Sequence, residues 1–238
     1  FGPYTVTLYV TSNAGCYDNT ATSIIIHDTP VADFSFNIAC EGQPTNFVNG
    51  STVLGSSNVN SWLWDFGDGT ATSIGQNPVH NYTAGYYSVT LNVQTNQGCE
   101  DDITQDVWAN PTPIISISGI DTCLEDVTQF QNNSSPQDNT ISTWDWDFGD
   151  GTSATGASAS HLYLDHGQFT VSLTATSDSG CVATGQTQVR VFPNPEPAFA
   201  LIEAEGCTPH DVVFVSQSTI ATGLNSVFQW DFGDGSTG

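Results

Sequence analysis

Between residues 86 and 94, Tyr87, Val89, Leu91 and Val93 alternate with Ser88, Thr90, Asn92 and Gln94. A two-residue period puts apolar side chains on one face of an extended strand and polar ones on the other. Val171, Leu173 and Ala175 repeat the alternation further along. No segment sustains a helical period. Between 31 and 109 the pattern predicts short strands over 32–38, 45–49, 61–66, 71–74, 79–82, 86–94 and 101–107. Gly, Asn, Asp and Pro clusters separate them as turn signals. About seven short strands in roughly 80 residues predict an all-β sandwich.

The pattern recurs. Trp62 to Thr70 reads WLWDFGDGT, Trp144 to Thr152 reads WDWDFGDGT, and Phe228 to Ser236 reads FQWDFGDGS. Gly-Cys occurs at Gly15-Cys16, Gly98-Cys99 and Gly180-Cys181, and a second cysteine series runs through Cys40, Cys123 and Cys207. Gly-x-Tyr/Phe-x-Val-x-Leu starts at Gly85 and Gly167, and Gly2 begins a third copy. In register, residues 1–28 are the last third of a repeat, 31–109 and 114–192 are complete repeats, and 197–238 are the first half of another. The joints are rich in proline (Pro30, Pro111, Pro113, Pro193, Pro195, Pro197). Proline fixes φ and removes a donor, so these joints read as short and semi-rigid. With no Met and a Phe1-Gly2-Pro3-Tyr4 start, the chain reads as an excerpt of a longer protein.

W-x-W-D-F-G-D-G, then His80-Asn81-Tyr82 or His161-Leu162-Tyr163, then G-x-Y-x-V-x-L resembles the PKD domain, an immunoglobulin-like β-sandwich. The resemblance covers the whole chain. It implies tandem sandwich domains in a linear array. The version with a Cys before the second strand and Gly-Cys after the sixth resembles repeats of large secreted Bacteroidetes-type proteins, gliding-motility adhesins among them. Such a chain would be extracellular and a spacer, stalk or binding module. Its partners would be neighbouring repeats, other copies in a filament, or a protein or glycan ligand.

Charge narrows the alternatives. Lys plus Arg number 1, Asp plus Glu 25, and the net charge is −24. One arginine, Arg190, cannot neutralise a nucleic-acid backbone or hold an anionic membrane surface. No stretch approaches the roughly 20 apolar residues of a membrane-spanning helix.

Candidate chemistry centres on the repeated carboxylates Asp65/Asp68, Asp147/Asp150 and Asp231/Asp234. A weak calcium site is one reading, since an acidic surface attracts divalent cations. However, calcium takes six to eight oxygens, and the spacing is not that of an EF-hand loop. A glycosidase pair would need a cleft that a thrice-repeated turn does not imply. The plain reading is turn chemistry: Gly67 and Gly69 permit positive φ, and Asp binds nearby amides. Trp64, Phe66, Trp146, Phe148, Trp230 and Phe232 then read as core. His80 and His161 hold equivalent positions and read as packing or capping groups. His166 and His210 lack partners at metal-ligand spacing. Asp-Phe-Gly without the other kinase motifs or any lysine is not a kinase element. No catalytic constellation stands out. Tyr17, Tyr86 and Trp108 are the candidate exposed aromatics for a ligand.

The cysteines lack CxxC spacing, so disulfides are favoured over zinc. In the immunoglobulin-like topology that the resemblance implies, Cys40 and Cys99 fall at opposite poles. The preferred pairing is therefore Cys40 with Cys181, across a joint, with partners of Cys16, Cys99, Cys123 and Cys207 outside the chain. Pairing within a repeat, Cys40–Cys99 and Cys123–Cys181, stays open if the first strand kinks, and so do free thiols.

Overall fold

A computed structural model describes residues 2–238 apart from 56, 138–139, 203–204, 207 and 209–211. Among the described residues every regular element is a strand. The chain divides into two compact units, 1–112 and 113–238.

The first unit opens with a hairpin, β1 (Gly2–Thr11) and β2 (Tyr17–Ile26). A sandwich follows. One sheet contains β3 (Phe34–Phe36), β5 (Pro44–Asn49) and β7 (Val79–Asn81). The other has the order β4 (Ala39–Cys40), β9 (Glu100–Asn110), β8 (Gly85–Thr95), β6 (Val59–Asp65). The alternation read from sequence sets the inner face: Val89, Leu91 and Val93 are fully buried, as is Val107 across the hairpin. They lie over an aromatic cage of Phe34, Phe47, Trp64 and Phe66, whose neighbouring ring centroids are 5.1–6.0 Å apart. Full burial of such side chains stabilises by about 1.5–3 kcal/mol each.

Two details differ from the sequence reading. The predicted strand over 32–38 is split. β3 pairs antiparallel with β5, while β4 crosses to the other sheet and pairs parallel with β9. Between them, the Asn37 side-chain oxygen accepts the Asn46 amide at 2.7 Å, replacing the ladder bond that the departing backbone gives up. The predicted 71–74 strand is reduced to one bridge, Trp64 with Ser73.

The second unit repeats this design. β10 (Ile117–Gly119), β12 (Val127–Asn132) and β15 (Ala159–Leu162) form one sheet. β11 (Thr122–Cys123), β17 (Val182–Phe192), β16 (Gly167–Ser177), β13 (Ile141–Asp147) and β14 (Ser153–Thr155) form the other. Here the piece that was only a bridge in the first unit is a strand, β14. Val171, Leu173 and Ala175 are fully buried. Among the described residues after this sandwich, the strands are β18 (Phe199–Ile202) and β19 (Val213–Ser216), an antiparallel pair.

The Gly-Cys landmarks lie in hairpin turns. Gly98 donates to the Thr95 carbonyl at 2.9 Å with φ +82°, and the Cys99 amide donates to Thr95 Oγ1. The Ser177–Cys181 turn has the same bonds. Gly67 and Gly69 also take positive φ, +74° and +76°. A Cβ on Gly67 would collide with the Ser88 carbonyl oxygen, whereas one on Gly69 meets nothing within 4 Å. Gly69→Ala should therefore cost about 1–2 kcal/mol, the conformational penalty alone. Gly67→Ala should cost at least twice that, as read by urea denaturation. Equal losses would contradict the collision.

Candidate functional site

The repeated carboxylates sit where β6 and β13 end and the chain turns. Asp65 Oδ1 accepts the Gly67 amide at 3.0 Å. Asp68 Oδ1 accepts both the Thr70 amide at 3.0 Å and the Thr70 hydroxyl at 2.6 Å. Asp68 Oδ2 meets His80 Nε2 at 2.7 Å. Each acid thus closes a turn on its own backbone, as short polar side chains do. The second copy matches: Asp147 takes the Gly149 amide at 2.9 Å, Asp150 takes Thr152, and Asp150 Oδ2 meets His161 at 2.7 Å. Asp231 and Asp234 close the third turn on Gly233 and Ser236.

The histidines join the turn to the core. His80 stacks on Phe66 at 4.1 Å and 3° and meets Tyr82 edge-on. His161 does the same with Phe148 and Tyr163. Tyr82 and Tyr163, both buried, donate to the carbonyls of Phe66 and Phe148. Burial pushes both phenols up, Tyr163 to about 12. Trp64 and Trp146 are buried, and their indole N–H groups reach Gly75 and Gly156 carbonyls at 2.9 Å. Sequence reading missed Thr70 and Thr152, although a hydroxyl residue follows Asp-Gly in all three copies. It also missed Glu41, whose carboxylate holds the Thr112 amide and hydroxyl at 2.9 and 2.6 Å. These hydrogen bonds hold Glu41 below the usual carboxylate range. Their sequence separation of 71 leaves no local pattern to detect.

Partial burial acts to raise the Asp68 carboxyl. Hydrogen bonds from Thr70 and His80 outweigh it and bring the group from 3.8 to about 2. Asp150 shifts the same way for the same reasons. Among the described residues no three His, Cys, Asp or Glu side chains are grouped to hold a metal ion. Each oxygen of Asp68 already has a hydrogen-bond partner, Thr70 on Oδ1 and His80 on Oδ2.

His166 is exposed, and His210 and Cys207 lie outside the described residues. Tyr17 and Tyr86 are exposed. Trp108 is half-buried; its ring lies 4.0 Å from that of Tyr86, directly across the hairpin, and its N–H donates to Asn110.

Cys40 and Cys181 are disulfide-bonded, while Cys16, Cys99 and Cys123 are free thiols. The register explains why Cys99 does not serve Cys40. Cys40 lies beside Asn110, at the far end of β9 from Cys99. Eleven extended residues separate those ends by about 36 Å, against the roughly 7 Å that a disulfide tolerates. Cys123 lies beside Phe192, equally far from Cys181. The kink in the first strand, which had kept pairing within a repeat open, moves Cys40 to the other sheet without bringing it nearer Cys99.

Two consecutive copies of the PKD domain model match residues 27–109 and 110–191. The chain belongs to the PKD family. Its PKD repeats are similar to the pre-pro-metalloprotease PrtV of Vibrio cholerae, 30% identical over 164 residues, covering 68% of this chain and 17% of that protein. They are also similar to collagenase ColA of Clostridium perfringens, 29% identical over 110 residues, covering 45% of this chain and 10% of that one. The chain thus spans less than a fifth of these relatives. Among solved structures, the PKD1 domain of Vibrio cholerae PrtV is 32% identical, with a TM-score of 0.32, over 34% of this chain and 96% of that one.

The two PKD repeats give the acid turn a pH dependence. Because Asp68 titrates at about 2 when folded, below a free aspartate, its contribution is complete above the unfolded value of about 3.9 and disappears as pH falls toward 2. Asp68→Asn should lower stability by about 1–3 kcal/mol at pH 6 and by much less near pH 2. Urea titrations at both pH values check this, and a penalty independent of pH would contradict it.

Proposed function

We propose that the chain is a structural segment of a long extracellular repeat protein, a surface filament, adhesin stalk or fibre of the Bacteroidetes type, and performs no catalysis itself. The observation that carries this reading is the thrice-repeated acid turn, whose carboxylates bond to their own backbone and, in the two complete PKD repeats, to a stacked histidine. Relatives that contain similar sequence are named as a metalloprotease and a collagenase, which supports a secreted setting with chemistry in other parts of the protein. The acidic, almost lysine- and arginine-free surface suits an exposed fibre, because trypsin-like proteases have one site, after Arg190.

The oxidised state of Cys40 and Cys181, with Cys16, Cys99 and Cys123 reduced, supports a Cys40–Cys181 staple between consecutive repeats. The remaining cysteines would make the same link to further repeats. Glu41 and Thr112 beside Cys40 would hold the joint's first residues against their own repeat.

A second reading, accessory repeats that present a glycan or protein ligand for a secreted hydrolase, rests on the Tyr86–Trp108 pair. In the other complete repeat the matching positions are Gln168 and Arg190, so the pair is not required by the fold.

Electron microscopy of the native material should show rods with beads about 35–40 Å apart, the length of an 11-residue strand. Non-reducing peptide mapping of the same sample should join Cys40 to Cys181, and reductant should make the rods bend. Isolated domains on mobile joints, or Cys40 joined to a different cysteine, would contradict the reading.

A further inference from the structure

The two complete repeats are built alike, but they fill one interior position from opposite sides. Each joins a hairpin, β8–β9 or β16–β17, to a half-sandwich, residues 31–84 or 114–166. The hairpins present the same buried residues, Val89, Leu91 and Val107 in one and Val171, Leu173 and Val189 in the other. The surfaces they cover match as well, Phe47, Trp64 and Phe66 against Phe130, Trp146 and Phe148. By these residues alone either hairpin would fit either half-sandwich. A chain of such repeats can then fold wrongly, with a hairpin docked on its neighbour's half.

One contact tells them apart. Ile103 and Gly185 hold the same place, opposite Leu91 and Leu173. On the inner face of β9, Ile103 stands between Asp101 and Gln105. Asp101 Oδ2 accepts the Ala32 amide at 2.8 Å, and Gln105 Nε2 donates to the Phe34 carbonyl at 2.9 Å. Ile103 therefore faces residues 32–34, and it packs on the core that contains the small, buried Ala32. In the second repeat the sizes are reversed. The bridges Val31–Thr52 and Ile114–Ser135 are equivalent, so Ile115 holds the place of Ala32. Ile115 packs on its core, and a Cβ on Gly185 would lie 2.5 Å from Ile115 Cγ2 and 2.8 Å from its Cβ. Each repeat thus supplies one isoleucine at this point, from the hairpin in the first and from the half-sandwich in the second.

We propose that the pairs Ala32–Ile103 and Ile115–Gly185 are specificity residues that direct each hairpin to its own half-sandwich. The two wrong combinations fail in different ways. Ile103 set against Ile115 forces two branched side chains into the space of one, an overpacked core. Gly185 set against Ala32 leaves both sides small, with a cavity in place of the isoleucine. A lost hydrogen bond adds to the second failure. Ala183 stands where Asp101 does, by its pairing with Ala175 in place of Val93, and it offers the Ala32 amide no acceptor. A clash on one side and a void on the other separate partners that are otherwise alike. The device acts while the chain folds, so it is independent of whether the folded repeats serve as a stalk or present a ligand.

Scanning calorimetry of the full chain with residues 85–110 and 167–192 interchanged tests the proposal. Both repeats should melt at least about 10 °C below those of the unaltered chain. Adding Ala32→Ile and Ile115→Ala restores one isoleucine to each contact and should win back most of the loss. An exchanged chain that melts like the unaltered one would overturn the proposal. So would an exchanged chain that the two substitutions leave as unstable as before, because its defect would then lie elsewhere. If the exchanged chain does not fold, the unaltered order of segments carries the same test. Gly185→Ile should lower the melting of the second repeat, and Ile115→Ala added to it should raise it again. Losses that simply add would overturn the proposal.

Discussion

The fold depends on one contact, the apolar face of a long hairpin laid across an aromatic cage. Val89, Leu91, Val93 and Val107 cover Phe34, Phe47, Trp64 and Phe66, and all eight are buried. Phe199, Phe214, Trp230 and Phe232 hold nearly the same ring spacings. The cage is thus a local product of β3, β5 and the W-x-W-D-F-G-D-G segment. The second sheet needs the hairpin. A strand at a sheet's edge gains its ladder bonds and its inner-face burial from the same neighbour, so both are lost together.

The acid motif serves that contact from the outside. Gly67 turns the chain away from the cage while its Cα lies against the Ser88 carbonyl, a position with no room for a side chain. Asp65 and Asp68 hold the turn, His80 carries the hold to Phe66, and Tyr82 ties the Phe66 carbonyl from within. Two carboxylates three residues apart beside a histidine could be mistaken for reactive groups. Their bonds show the reverse priority. An Asp lowered to about 2 by its own hydrogen bonds is a poor proton carrier near neutral pH, since catalysis favours groups that titrate near the working pH.

Much of this was legible in the sequence because it is periodic. Alternation at Val89, Leu91 and Val93 fixed the buried face, and three recurrences of one motif fixed the repeat. The pole-to-pole separation of Cys40 and Cys99 followed from the immunoglobulin-like topology that the resemblance implies. What sequence did not show is set by contacts between distant residues. The break after Phe36 depends on Asn37 meeting Asn46, and the hold on the joint depends on Glu41 meeting Thr112. The short strand β14 has only a one-bridge counterpart at Ser73, a difference that no periodicity marks.

Amide hydrogen exchange tests the dependence on the hairpin contact most directly. The account expects slow exchange for β8, β9, β16 and β17, where the hairpin lies over its cage. It expects fast exchange for β1, β2, β18 and β19, which contain the same kinds of residue without the contact. Equal protection of the covered and uncovered hairpins would contradict it, because local pairing would then suffice without the cage.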